Sequence, residues 1–331
     1  MRVGIIGAGS WGSALARVAA LRGHEVCLWA YESEVVDSIR HHHRNDLFLP
    51  GIDLPARIAV TGELRHAARE AEMLITAVPS QYQRKVIEDM ADWVSPDALL
   101  VSAGKGIEEN TLLRMSEVIE QAMERRFPPK VVALSGPTFA REVAEGRPTA
   151  LVAAARRLSL AKRVQTELSS LSFRIYRSGD LVGVELGGAV KNVIAIAAGV
   201  CAGLGLGHNA LAAVITRGLA EISRLAGSLG GKRRTLAGLA GMGDLVLTCT
   251  GVLSRNRTVG CEIGRGRRLA DVLGSMRMVA EGVPTTRATV RLARRNRVEM
   301  PITFQMDRLL REEIGAAQAI EELMSRPLRR E

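Results

Sequence analysis

The feature that most constrains this chain is Gly7-Ala-Gly9-Ser-Trp-Gly12, because of what stands on either side of it. Before it, Arg2-Val-Gly-Ile-Ile6 reads as a short buried strand. After it, apolar residues at Leu15, Val18 and Leu21 recur with helical spacing. Arg22-Gly23 ends that helix and His24 to Trp29 supplies the next strand, so strand, turn, helix and strand fit into the first 30 residues. In that setting G-x-G-x-x-G has a mechanism: the glycines allow a tight turn, the approach of a pyrophosphate, and close packing of helix on strand. The helix N-terminus then faces the anion. Gly7, Gly9 and Gly12 therefore mark a dinucleotide site.

The partner for the adenosine ribose belongs about 20 residues further on, at the end of the second strand. Tyr31-Glu32 stands there, and Glu32 suits a ribose 2′-hydroxyl. No Arg between positions 30 and 33 awaits a 2′-phosphate. The reading favours NAD(H) and leaves NADP(H) open; the plainer role for Glu32 is to cap the following helix.

Further strands are expected at 57–60, 71–78, 98–101, 130–134, 149–154 and 173–176, alternating with helical stretches. The fold class is α/β, an N-terminal Rossmann doubly wound parallel sheet with a mixed edge, followed by an all-α C-terminal domain. The turns Ala77-Val-Pro-Ser80 and Ser102-Ala-Gly-Lys-Gly106 fall where open sheets bind ligands. After about Gly179 the pattern becomes helical, with helices expected at 186–202, 209–225, 259–263, 286–295 and 302–310. Residues 1–180 are expected to form the dinucleotide-binding domain and 181–331 a helical domain carrying the substrate and catalytic groups.

Composition narrows the function classes. With 47% apolar and 24% charged residues over 331, the chain is neither disordered nor fibrous. Net charge is +10, but no long basic block or interleaved aromatics suggest a nucleic-acid surface, so a small anionic substrate is the better match. No membrane span is expected: the weakly polar stretch Val193 to Gly207 is too short and glycine-rich. The apolar run after Met1-Arg2 contains the glycine motif, which argues against a secretory signal. Four cysteines without a C-x-x-C pair suit reduced thiols and a cytoplasmic setting. His41-His-His43 is expected to be an exposed loop, not a metal site, and Arg326 to Arg330 a solvated terminus.

Of the 45 basic residues only six are Lys, at 85, 105, 130, 162, 191 and 232. Where Arg is the rule, a Lys hints at a task Arg cannot perform, because Lys can lose its proton. Lys191 sits in the apolar, glycine-rich segment Gly183-Val-Glu-Leu-Gly-Gly-Ala-Val-Lys-Asn192. Burial lowers a Lys pKa, so Lys191 is a candidate proton donor and acceptor. A Lys paired structurally at a domain boundary is the alternative.

Long stretches now converge: Gly7 to Ala16, Ser135-Gly-Pro-Thr-Phe-Ala-Arg-Glu142, Val190-Lys-Asn-Val193, Gly238 to Cys249, Ser254-Arg-Asn-Arg257 and Glu281-Gly-Val-Pro284. Together they resemble the bacterial-type NAD(P)-dependent glycerol-3-phosphate dehydrogenases over nearly the whole chain. The resemblance implies a Rossmann domain and a helical domain, and interconversion of dihydroxyacetone phosphate and sn-glycerol 3-phosphate for phospholipid synthesis. It implies Lys191 as acid and base, and Lys105 as a second ammonium near both substrate and cofactor. Asp244 and Thr248 would complete the substrate site, with Gly136 and Thr138 at its border. The phosphate would meet Ser254, Arg255 and Asn256, where a forked guanidinium and donors opening a helix suit a dianion. Ser10, Trp11, Ala140, Arg255 and Glu281 would border the cofactor. The chain departs from the family pattern at Gly104, where Thr or Ser is frequent, at Thr138, where Ser is common, and at Tyr31-Glu32, where many members carry Arg. The oligomeric state is not readable from the sequence, and a homodimer is one option. The rivals are a related two-domain hydroxy-acid dehydrogenase and a non-catalytic nucleotide-sensing protein; the latter would not need Lys191, Lys105 and Asp244 together.

Overall fold

Short runs of Val, Ile and Leu with no alternating polar face belong in strands covered on both sides. β1 (Arg2–Ile6), β4 (Met73–Thr76) and β5 (Leu99–Ser102) are of this kind, buried almost throughout. The computed structural model describes residues 1–327. Leu328 to Glu331, and with them Arg329 and Arg330 of the expected solvated terminus, lie outside the described residues.

The other strands are β2 (Glu25–Trp29), β3 (Ile58–Thr61), β6 (Lys130–Ser135), β7 (Thr149–Ala154) and β8 (Phe173–Ser178). They alternate with α1 (Ser10–Leu21), α2 (Ser33–His42), α3 (Leu64–Ala68), α4 (Gln83–Met90), α5 (Met115–Met123), α6 (Ala140–Ala144) and α7 (Leu158–Leu168). The sheet order is β3-β2-β1-β4-β5-β6-β7-β8. All neighbours are parallel except β6 and β7, which pair antiparallel and make the mixed edge the sequence suggested. Chain order reverses between β1 and β4, which places the glycine turn after β1 beside the loop after β4. That is where an open α/β sheet binds its ligand.

The helical part comprises α8 (Leu181–Gly203), α9 (Gly207–Ser228), α10 (Arg233–Leu236), α11 (Asp244–Thr250), α12 (Arg255–Gly264), α13 (Leu269–Gly274), α14 (Gly282–Arg295), α15 (Pro301–Leu310) and α16 (Ala316–Met324). A single π-helical turn, Leu239–Gly243, leads into α11. α8 is its axis. Asp180 caps it by accepting from the Gly183 N–H at 2.9 Å, so the helix starts five residues before the expected Leu186. This corrects the membrane argument: the helix is 23 residues long with mean hydropathy 1.6 in its most apolar window, enough to cross a bilayer by length and composition. Yet 89% of that window is buried inside the molecule, so it serves as a core helix. Gly199 and Gly260 let α8 and α12 cross closely; a Cβ on Gly199 would lie 2.1 Å from the Arg257 carbonyl oxygen.

The histidine triplet is a second correction. His41 and His42 form the end of α2, and His43, with φ 52°, is its left-handed cap. All three are exposed, but on a helix end and not in a loop.

Candidate active site

The three glycines of the first turn do different jobs. Gly7 has φ +107°, and its N–H donates to the Trp29 carbonyl at 3.1 Å, tying the turn to β2. A Cβ on Gly12 would sit 1.8 Å from the Gly7 carbonyl oxygen, so α1 could not approach β1 with any larger residue. A Cβ on Gly9 would meet nothing within 4 Å: the space over this residue is open. α1 begins there without a side-chain cap or an acidic residue in its first turn, leaving N–H groups for an anion. Ser10 and Trp11 line one side of a cavity of about 380 Å³; Ala77–Pro79 after β4, Ala103–Lys105 after β5 and Ala140 line the other. This cradle fits a dinucleotide cofactor. Tyr31 and Glu32 stand outside the cavity lining, at the end of β2 beside the glycine turn; Tyr31 is 83% exposed. Glu32 occupies the N-cap position of α2 without its side chain capping anything.

At the far end of the cavity two lysines share one carboxylate. Lys191 is held by α8 among apolar neighbours and is 6% exposed. Its Nζ donates to Asp244 Oδ1 at 2.6 Å and to Thr248 Oγ1 at 2.7 Å. Lys105, from the loop after β5, donates to Asp244 Oδ2 at 2.7 Å, the Gly136 carbonyl at 2.8 Å and Thr138 Oγ1 at 3.2 Å. Each carboxylate oxygen thus serves one ammonium, and two cations against one anion leave a net positive site. Asp244 is fully buried at the start of α11. Burial pulls the Lys105 pKa down to about 8; Asp244 opposes the shift and the neighbouring Lys191 adds to it.

The third wall comes from α12 and the segment before α14. Ser254 caps α12 by accepting from the Arg257 N–H at 3.3 Å. Arg255 reaches back to donate to the Val279 carbonyl at 3.0 Å and lines the cavity. The protein packed around its guanidinium desolvates it and lowers its pKa, against the attraction of Glu281, although the residue as a whole remains exposed. Asn256 also lines the cavity, but its Oδ1 is engaged: it accepts from the Gly282 N–H at 2.9 Å, opening α14. Glu281 accepts from the Ser80 N–H at 2.9 Å and the Ser80 Oγ at 2.5 Å, and burial pushes its carboxyl upward.

Most residues singled out from the sequence meet around this cavity. Gly136 takes part through its carbonyl, and Asp244 lies behind the lysines, outside the lining. Three contributions were missed. Phe48–Pro50 line the cavity mouth, on a loop that buried Asn45 ties to the glycine turn by donating to the Ala8 carbonyl at 2.7 Å. Ser80 holds Glu281. Asn192 donates to the Lys105 carbonyl at 3.1 Å, fixing the loop that carries that lysine. Ser80 lies on a turn that the sequence places at the ligand edge of the sheet, but nothing local signals its hold on Glu281 or the part played by residues 48–50; adjacency to Lys191 could have pointed to Asn192. Among the described residues no group of three or more His, Cys, Asp or Glu is placed to hold a metal ion.

Two family models match the chain: the NAD-dependent glycerol-3-phosphate dehydrogenase N-terminus over residues 2–161 and the C-terminus over residues 180–321. The glycerol-3-phosphate dehydrogenase [NAD(P)+] of Koribacter versatilis is 57% identical over 98% of this chain and 97% of that protein. That of Geobacter sulfurreducens is 53% identical over 100% and 98%. Among solved structures, glycerol-3-phosphate dehydrogenase from Coxiella burnetii superposes with a TM-score of 0.93 at 38% identity, covering 98% of this chain and 99% of that one.

Proposed function

The chain belongs to the NAD-dependent glycerol-3-phosphate dehydrogenase family, and from that premise we propose that Lys191 and Lys105, joined through Asp244, form its catalytic centre. The chain is an NAD(P)-dependent oxidoreductase that interconverts dihydroxyacetone phosphate and sn-glycerol 3-phosphate, the glycerol phosphate that phospholipid synthesis consumes. When bound, the nicotinamide supplies or accepts the hydride. Everything else falls to the chain's own residues.

In the direction of ketone reduction, Lys191 as an ammonium donates a proton to the oxygen that is becoming an alkoxide, and takes it back in the reverse reaction. Lys105 stabilises the developing negative charge. In a water-poor cleft such a fixed donor is worth about 3 kcal/mol of barrier, on the scale of a single oxyanion-hole donor. Asp244 orients both ammonium groups and favours the charged form of Lys105; Thr248 and Thr138 fix their positions. Ser254, Arg255 and Asn256 bind the phosphate, with the Arg255 guanidinium as the bidentate partner. Gly7, Gly9, Gly12, Ser10 and Trp11 seat the pyrophosphate side of the cofactor, with Ala140, Arg255, Glu281 and Lys105 along its course and Tyr31 and Glu32 by the adenosine. Glu32 without a neighbouring Arg supports NAD(H) as the preferred form.

The same reading divides the chain after Asp180, between β8 and α8, into a cofactor domain and a catalytic domain. Four free thiols support a reducing, cytoplasmic setting. In α9, Leu211, Val214 and Ile215 pack on the helical core and stay partly exposed among residues 207–217, none of which is buried, and a homodimer covering this stretch is part of the reading.

The observation that carries the reading is one buried carboxylate shared by two ammonium groups at the cavity wall. Its first test is NADH oxidation on adding dihydroxyacetone phosphate, compared with NADPH and with a 2-keto acid. Rapid oxidation with the triose phosphate alone is expected, faster with NADH than NADPH; equal rates with the keto acid would contradict it.

A further inference from the structure

A second cleft of about 460 Å³ opens on the other side of the π-helical turn, between the β7–β8 edge of the sheet and α10. It shares no lining residue with the catalytic cavity. Its walls combine apolar Val152, Leu158 and Leu239 with the half-exposed ring of Tyr176 and two guanidinium groups, Arg177 and Arg234. Among the described residues neither arginine has a hydrogen bond or an ion pair, as is true of several other exposed arginines, but here two such groups border one cleft. Asp180, the acid nearest in the chain, is engaged instead with the Gly183 and Lys232 N–H groups at 2.9 Å each. Two uncompensated guanidinium groups beside an apolar lining form a receptor for an anion with an apolar arm, because Arg pairs bidentately with phosphate while the lining shields the arm.

The cleft also touches the catalytic centre through the backbone. Gly238, Leu239 and Ala240 line it, and the turn Leu239–Gly243 runs straight into Asp244. The Ala240 carbonyl packs on α8 at Gly187, where a Cβ would come within 2.4 Å of it, one helical turn before Lys191. The π-turn is the first turn of the Leu239–Thr250 helix and follows extended Gly238, so a shift of this turn moves the start of α11 with it. Here the first residue beyond the turn is Asp244, whose carboxylate joins the two lysines.

We propose that this cleft is a regulatory site for a phosphate monoester bearing an apolar group, acting on turnover through the π-turn and Asp244. The coupling rests on the catalytic role of Asp244 given above; the binding site does not. The test is calorimetric titration of the full chain with phenyl phosphate, the catalytic cavity being filled with NADH and sn-glycerol 3-phosphate, alongside initial rates at saturating dihydroxyacetone phosphate. Saturable binding is expected, weaker for inorganic phosphate, and reduced about tenfold or more in Arg177→Ala/Arg234→Ala, a change of about 1.4 kcal/mol. Phenyl phosphate should alter kcat at least about twofold, and the double variant should keep the basal kcat and lose that response. Vesicles of phosphatidylcholine with and without phosphatidic acid separate the two sources of such a group. Sedimentation with the acidic vesicles alone assigns a lipid headgroup, and phenyl phosphate binding without sedimentation assigns a free ester. No binding with the catalytic cavity filled, or equal binding by the double variant, overturns the site. Binding with unchanged kcat overturns the coupling, and a chain that binds phenyl phosphate yet lacks basal activity contradicts the catalytic reading instead.

Discussion

Asp244 decides what the two lysines can do. With both its oxygens committed at 2.6 and 2.7 Å, it offsets part of the cost of burying two like charges. It still leaves Lys105 near a pKa of about 8, because desolvation is the larger effect. Below pH 8 the Lys105 ammonium is present and supports alkoxide formation, and above it the charge is lost. Triose phosphate reduction should therefore fall along an alkaline limb centred near pH 8. Asp244→Asn removes the compensation and should move that limb at least about one unit lower, besides slowing turnover; a limb that stays in place would show that Lys105 does not titrate in the reaction. Lys191 was legible from the sequence because Lys is scarce and this one lies in an apolar segment. The partnership with Lys105 and Asp244 came only from the family resemblance, since 86 residues separate the two lysines and no local pattern announces a shared carboxylate.

At the scale of elements, substitutions separate the binding roles proposed for the glycine turn and α12. Gly12→Ala forces a contact of 1.8 Å with the Gly7 carbonyl oxygen and should destabilise the fold by more than about 3 kcal/mol, seen as a lowered denaturation midpoint. Gly9→Ala meets open space and should leave the midpoint unchanged while weakening NADH binding; matched effects of the two substitutions would contradict the separate roles. Arg255→Ala should raise KM for dihydroxyacetone phosphate by about 100-fold, the scale of a charge-assisted contact, and leave a phosphate-free hydroxyketone nearly unaffected. Long elements were readable because several apolar repeats fit within them, although their ends came out short: α12 begins at Arg255 and α14 at Gly282, earlier than periodicity suggested. α10, α11, α13 and α16 were not found. The first three have four to seven residues, too few to show a helical period, and α16 buries only Ala319. The π-turn Leu-Ala-Gly-Met-Gly reads locally as a loop.

Across the whole molecule, the catalytic geometry depends on how the helical part sits against the sheet. Glu185 on α8 binds the Arg114 guanidinium and accepts from the Ser116 N–H at 2.7 Å and Oγ at 2.6 Å, while Glu281 holds Ser80 from the other side. These clasps fasten the helical part, which carries Lys191, to the loop after β4 and to the start of α5. Glu185→Ala leaves Arg114 with Glu117 as its remaining carboxylate partner and takes the acceptor from the Ser116 N–H and Oγ, so it should cost about 1–3 kcal/mol, measured as unfolding free energy in denaturant; no measurable loss would show the clasp to be dispensable. The two-part architecture was readable from the change of pattern near Gly179, but these clasps were not, because each joins single residues far apart in the chain. The central claim is that the Lys191 amine transfers the proton. The most direct measurement is single-turnover NADH oxidation by Lys191→Met with saturating dihydroxyacetone phosphate, after NADH binding has been shown to be retained. A rate lower by at least about 100-fold is predicted for loss of a general acid, and oxidation at the unsubstituted rate would contradict it.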